Sequence, residues 1–203
     1  MAKAVCLIEQ VWGHLIIKFT RCQITVTGRE NIPKEGGACF VSNHGGYFDI
    51  VLLLAYSGRR IGFIAKKELM LIPILNIWIF ITGGLFIDRR SPRKAAITIH
   101  KGVQKIKSGS CIIIFPEGSR AKEHKLNPFH HGALKLATLA HAPIVPVAIK
   151  GSYNVWEKTK RVVPSSMEIT FCKPIYTAEI PPGDRKQILS DRIYDIIKEK
   201  LGL

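Results

Sequence analysis

The chain has 203 residues, is 47% hydrophobic, and carries a mean hydropathy of +0.14 and a formal charge of +15. The length suits one domain with a good-sized core, and the hydropathy, high for a soluble protein, is too low for a polytopic membrane protein. The charge excess favours an anionic partner, but the basic pairs (Arg59-Arg60, Lys66-Lys67, Arg89-Arg90, Arg93-Lys94, Lys160-Arg161) are scattered and not interleaved with aromatic residues. That argues against nucleic acid and leaves anionic lipid or a phosphorylated substrate. The cysteines, Cys6, Cys22, Cys39, Cys111 and Cys172, are odd in number and lack CxxC spacing, so they read as reduced thiols in a cytosol-facing protein.

Residues 4–20 are apolar but broken by Glu9, Gln10, His14 and Lys18, too often for a secretory signal or a spanning helix. They read as an amphipathic helix with Val5, Ile8, Trp12 and Leu15 or Ile16 on one face. That face suits a membrane surface, the other reading being a helix packed on the core. Residues 23–27 and 38–42 read as strands separated by a turn-rich connection, residues 50–56 as a helix and residues 62–65 as a strand. Residues 69–87 carry no charge over 19 positions, long enough to span a bilayer, but Pro73, Asn76 and Gly83-Gly84 interrupt them. Short helices and a strand are expected there, partly buried and partly dipping into a bilayer or lining an apolar tunnel.

Ser91-Pro92 is a helix start, with Ala95, Ile99, Val103 and Ile106 on one face and Gly109 as the stop. Residues 111–115, 143–149 and 167–171 read as strands and residues 121–129 as a polar loop. Residues 132–140 and 187–201 read as helices, the latter with Ile188, Ile193, Ile196 and Ile197 on its apolar face. The alternation predicts an α/β fold, a mixed, largely parallel sheet flanked by helices. The expected organisation is one domain, 1–203: a membrane-surface helix over 1–20, a core over 22–175 and a C-terminal amphipathic helix over 184–203.

His44 and Asp49 have four residues between them, Gly45-Gly46 included, at the junction of a strand and a helix. A carboxylate accepting the imidazole Nδ1–H fixes the tautomer and leaves Nε2 as a base near neutral pH. The glycines would let the backbone fold tightly enough to join the pair and would offer N–H groups to an oxyanion. The other reading is a loop histidine beside a helix-capping aspartate. His44, Arg89 and Glu117 each follow a strand-like run (38–41, 84–87, 111–115), which places them at one rim, where ligands bind in such sheets.

Four blocks stand in order: Asn43-His44 with Asp49; Gly83-Gly84-Leu85-Phe86-Ile87-Asp88-Arg89; Phe115-Pro116-Glu117-Gly118-Ser119-Arg120; and Ala142-Pro143-Ile144-Val145-Pro146-Val147. Over residues 22–175 this pattern resembles the glycerolipid acyltransferases, and within them the 1-acylglycerol-3-phosphate acyltransferases of the bacterial lysophosphatidic acid type. The resemblance implies an α/β acyltransferase fold. It implies transfer of a fatty acyl group from an acyl carrier protein or coenzyme A thioester to the sn-2 hydroxyl of lysophosphatidic acid, giving phosphatidic acid. In that reading His44 is the general base and Asp49 orients it. Arg89, Glu117, Gly118, Ser119 and Arg120 bind the acceptor, with Glu117 holding an arginine or an acceptor hydroxyl. Pro146 shapes the acyl-donor side. No cofactor, metal or nucleic acid is expected. The enzyme would work on an anionic membrane surface, at the cytoplasmic face, as a peripheral or monotopic protein.

One departure touches the acceptor: many family members carry Phe-Lys-x-Gly where this chain has Phe129-His130-His131-Gly132. It leaves glycerol-3-phosphate or another lysophospholipid open as acceptor. A non-catalytic lipid-binding protein is the remaining alternative, and it gives no reason for the His44/Asp49 pair. The histidines His124, His130 and His131 match no usual zinc spacing.

Overall fold

The computed structural model describes residues 2–121, 125–130, 132–177 and 185–203. The elements run α1 (Ala2–Thr20), β1 (Gln23–Thr27), β2 (Ala38–Ser42), α2 (Phe48–Tyr56), β3 (Ile61–Lys66), α3 (Leu75–Ile81), β4 (Leu85–Ile87) and α4 (Pro92–Lys107). They continue with β5 (Cys111–Ile114), α5 (Lys135–Ala140), β6 (Pro143–Lys150), α6 (Ser152–Val155), β7 (Ser166–Phe171), β8 (Ile175–Tyr176) and α7 (Arg185–Leu201). Their order in the sheet is β1-β7-β6-β2-β5-β3-β4, with β8 beside β6. From β6 through β2, β5 and β3 to β4 every neighbouring pair is parallel, and β7 turns antiparallel against β6. The mixed, largely parallel sheet expected from the alternation is thus present. Short β8 and α6 carry too little periodicity to be read from sequence.

Central strands are covered on both faces, so they are apolar throughout instead of alternating. Phe40 and Ile113 face one core with Leu52 of α2 and Ile17 of α1, while Val41 and Ile112 face the other with Val103 of α4, Leu136 of α5 and Ile193 of α7. Successive residues of a strand therefore feed opposite layers. The start of α4 follows its local chemistry: Ser91 caps it by accepting the Lys94 N–H, with Pro92 at the first helical position. In α7 the core-facing residues are Leu189, Ile193 and Ile197, and Ile188 is exposed. The expected face is thus rotated by one residue, and residue 184 lies outside the described residues.

α1 crosses α2 where Gly13 leaves no room: a Cβ there would lie 2.9 Å from the Ala55 Cβ. Its buried side carries Glu9 and Ile17, while Leu7, Ile8, Val11, Trp12, Leu15 and Phe19 are exposed. Of the apolar stripe read from sequence, Ile8, Trp12 and Leu15 point outward. Residues 69–87 fold as short pieces: the end of a 3-10 turn over Lys67–Leu71, then α3 and β4. No helix among the described residues is long and apolar enough to cross a membrane. Leu71, Ile74, Ile77 and Phe80 are nevertheless exposed, and the Trp12 and Trp78 rings meet at 4.7 Å, joining this surface to that of α1.

Candidate active site

β2, β4 and β5 run parallel within one sheet, so the segments that follow them emerge at the same rim. His44, Arg89 and Glu117 stand there, as the sequence spacing implied. Asn43 anchors the loop first. Its amide donates to the Ile149 carbonyl at 2.9 Å and accepts the Ile149 N–H at 2.8 Å, pinning the end of β2 to β6.

Asp49, in the first turn of α2, is fully buried. One of its oxygens, Oδ2, lies 2.8 Å from His44 Nδ1, 2.8 Å from the Gly45 nitrogen and 2.9 Å from the Gly46 nitrogen. An ionised carboxylate only accepts, so His44 Nδ1 carries the proton and donates it. The other ring nitrogen, Nε2, makes no hydrogen bond among the described residues and is left with its lone pair free. Asp49 Oδ1 is buried without a partner. Leaving an acceptor unsatisfied costs on the order of 1–3 kcal/mol, so the three donors on Oδ2 must hold the carboxylate against that loss.

The Gly45 and Gly46 N–H groups thus position Asp49, which corrects the expectation that they face an oxyanion. Neither glycine has a positive φ. They are needed for close approach instead: a Cβ on Gly46 would lie 2.4 Å from Glu157 Oε2 and one on Gly45 3.0 Å from Ser152 Oγ.

Glu117 is buried and braces the histidine's backbone. Its Oε1 accepts the His44 N–H at 2.7 Å and its Oε2 the Asn127 N–H at 2.9 Å. Burial pushes its carboxyl above the ordinary value, against the opposing pull of those two backbone donors. Among the described residues it holds no arginine, contrary to one reading of its role, because both oxygens turn toward the main chain. Phe115 stacks on the His44 ring, with centroids 4.1 Å apart and planes 21° apart. The imidazole is thereby fixed from below by an aromatic face and from one edge by a carboxylate.

The arginines divide. Arg120 lies over the Tyr47 ring at 4.2 Å and donates to Glu157 Oε1 at 3.0 Å, and the same oxygen accepts the Tyr47 N–H at 2.9 Å. Arg89 donates through Nη1 to the Gly118 carbonyl at 2.6 Å and has no carboxylate partner among the described residues. Gly118 has φ +71, and a Cβ on it would lie 3.1 Å from both Arg89 Nη1 and His130 Cδ2. Arg89, Gly118 and His130 therefore converge, and exposed Ser119 follows directly. Glu157 and Phe115 escaped the sequence reading as site residues. Glu157 lies 113 positions from His44 along the chain, with no local pattern to mark it.

Among the described residues no cluster of three or more His, Cys, Asp or Glu side chains is placed to hold a metal, and His124 and His131 lie outside those residues. All five cysteines are free, with Cys39, Cys111 and Cys172 buried.

Comparison with known proteins bears on this arrangement. The family model described as Acyltransferase matches residues 23–150. A chloroplastic 1-acyl-sn-glycerol-3-phosphate acyltransferase of Brassica napus is 28% identical over 206 residues, covering 97% of this chain and 56% of that protein. The 1-acyl-sn-glycerol-3-phosphate acyltransferase of Borreliella burgdorferi is 33% identical over 136 residues, 67% of this chain and 54% of the relative. The chain thus spans somewhat over half the length of the curated relatives it matches. The crystal structure of the 1-acyl-sn-glycerophosphate (LPA) acyltransferase PlsC from Thermotoga maritima superposes with a TM-score of 0.86 at 26% identity, covering 97% of this chain and 78% of that one.

Proposed function

This chain belongs to the acyltransferase family, and from that premise we propose that it acylates the sn-2 hydroxyl of lysophosphatidic acid from an acyl thioester, yielding phosphatidic acid. The observation that carries this reading is the His44 imidazole, whose Nδ1–H is given to buried Asp49 and whose Nε2 is open, at the rim that also bears Arg89. The names of the relatives support the choice of substrate.

In the proposed reaction His44 Nε2 takes the proton of the acceptor hydroxyl as its oxygen bonds to the thioester carbonyl carbon. The tetrahedral adduct collapses, the C–S bond breaks, and the imidazolium returns its proton to the leaving sulfur. A general base of this kind contributes about 10²–10⁴-fold. No serine or cysteine is needed as an intermediate nucleophile, because a thiolate already leaves readily. Arg89 binds the acceptor's phosphate with the guanidinium donors that Gly118 does not use, and Ser119 and the Gly118 backbone border the glycerol. Glu117 acts through the main chain of His44 and is a positioning residue.

The apolar surface of α1, the Lys67–Leu71 turn and α3 would sit in the outer part of a bilayer, with basic residues at anionic headgroups, each worth about 1 kcal/mol. The turn leaves β3 at the active-site rim, so this surface borders the place where a lipid hydroxyl must arrive. Peripheral attachment to the cytoplasmic face follows as part of the proposal.

His130 beside Arg89 gives a second reading, a different phosphorylated acceptor, since a neutral imidazole holds phosphate less strongly than the lysine of many relatives. The test is purified protein with one labelled acyl thioester and three acceptors: lysophosphatidic acid, glycerol-3-phosphate and lysophosphatidylcholine. Preferred labelling of lysophosphatidic acid is expected. Preference for either of the others moves the acceptor, and transfer to none removes the function.

A further inference from the structure

One cavity beside the site described so far is not used by it. It lies at the carboxyl end of β6, encloses about 210 Å³, and is lined by Lys125, Lys150 and Lys158 together with Gly45 and Ser152. We propose that this cavity takes the phosphate of the acyl donor's phosphopantetheine arm, whether free in coenzyme A or borne on a carrier protein. The proposal rests on the acyl-transfer reading above and names the donor's anchor within it.

The side-chain charge of the cavity is one-sided. Three lysines line it, no Asp or Glu side chain does among the described residues, and none of the three lysines forms an ion pair there. Lysine is a point charge that suits a phosphate approached from several directions. Ser152, 2% exposed, lines the cavity beside the lysines.

Size narrows the occupant. A volume of about 210 Å³ falls below the roughly 300–1,000 Å³ of sites that enclose a whole small ligand. The cavity therefore holds one phosphate-sized end of a longer molecule. Position narrows it further. β2 lies between β5 and β6, so the His44 loop stands between two cationic regions, Arg89 against Gly118 on one side and the lysines on the other. The acceptor's phosphate is only a few bonds from the hydroxyl it must present, and a single guanidinium near that hydroxyl suffices. The donor's phosphate sits at the far end of a long flexible arm from the thioester, so it needs a separate anchor. Gly45, next to His44, lines this cavity, and a Cβ on it would lie 3.0 Å from Ser152 Oγ.

The test uses the full chain as wild type and as the double variant Lys150→Gln/Lys158→Gln. Each is assayed with lysophosphatidic acid and two donors, palmitoyl-coenzyme A and palmitoyl-N-acetylcysteamine, which lacks phosphate. The variant's KM for palmitoyl-coenzyme A should rise at least roughly tenfold for two lost charge-assisted contacts. Its acceptor KM, and its turnover of the phosphate-free donor, should match wild type. A raised acceptor KM with donor KM intact, or equal losses with both donors, overturns the proposal. Calorimetric binding of coenzyme A and of holo-acyl carrier protein, without acceptor, provides a readout independent of transfer. Weaker binding of either carrier by the variant supports the anchor even if lysophosphatidic acid proves not to be the acceptor, and unchanged binding of both removes it.

Discussion

Two regions of this molecule solve opposite problems. In residues 43–49 nearly every polar group has a partner: Asn43 with Ile149, the His44 backbone with Glu117 and Ala121, and the His44 ring and two glycine N–H groups with Asp49. In residues 69–81 few side chains are buried, and Leu71, Ile74 and Phe80 are more than three-quarters exposed. The first region fixes one nitrogen lone pair in place and tolerates little change. The second holds only a surface, one whose large apolar area costs free energy wherever it meets water. Chemistry demands rigidity from the loop, whereas the apolar surface asks for a surrounding medium other than water.

Substitution at the proposed base separates the two regions most sharply. His44→Ala should lower kcat by about 10²–10⁴-fold, while the melting temperature, followed by circular dichroism, stays near wild type. Loss of folding along with activity would show that the ring is structural.

Asp49→Asn keeps the shape but offers Nδ1 an amide, which no longer enforces the productive tautomer. A kcat loss approaching that of His44→Ala is expected, together with destabilisation of about 1–3 kcal/mol from a poorly matched buried group. Denaturant unfolding and steady-state kinetics report the two effects separately.

The contrast breaks in the other direction at the apolar surface. Phe80→Glu or Leu71→Glu should weaken partition onto anionic vesicles by roughly tenfold or more, since each buried side chain of this size contributes about 1.5–3 kcal/mol. Folding and turnover of short-chain, micelle-free substrates should be preserved. Vesicle sedimentation measures the first, and unchanged sedimentation would return this surface to some other covering.

The smallest effect comes from the buried side of α1. Burial pushes the Glu9 carboxyl up to about 7, against the opposing charge of Arg60, and both of its oxygens lack partners. The folded state thus holds the proton more tightly than the unfolded chain does. Stability from this group is complete below the ordinary value of 4.5 and falls as pH rises through about 7. Glu9→Gln, neutral at every pH, should flatten that decline, so that wild type loses a few degrees in melting temperature relative to the variant between about pH 5 and pH 8. Parallel pH profiles for the two proteins would place the proton elsewhere.

The legible part of this protein was the part written in neighbouring residues. Continuous apolar runs gave the central strands, Ser91-Pro92 gave the start of α4, and four spaced blocks gave the rim. Other features were not legible. Glu157 reaches Tyr47 and Arg120 only because the chain returns after β6. The partners of Glu117 are main-chain groups, which no side-chain motif announces. The glycines at 45 and 46 looked like turn formers and proved to be clearances, because what crowds them comes from residues 152 and 157. Nothing about tertiary neighbours is encoded at the position that needs them.

The tight crossing of α1 over α2 at Gly13 and Ala55 ties the outermost helix to the one whose first turn holds Asp49. The close crossing leaves little room for one helix to slide on the other, between the apolar exterior and the Asp49 carboxylate. On the proposed bilayer this makes the protein a fixed-orientation surface catalyst, whose active-site mouth keeps one tilt and one depth. Its velocity would then follow the mole fraction of acceptor in the lipid plane and not its bulk concentration, so diluting the acceptor with inert lipid would slow the reaction while diluting the whole suspension, once the protein is bound, would not.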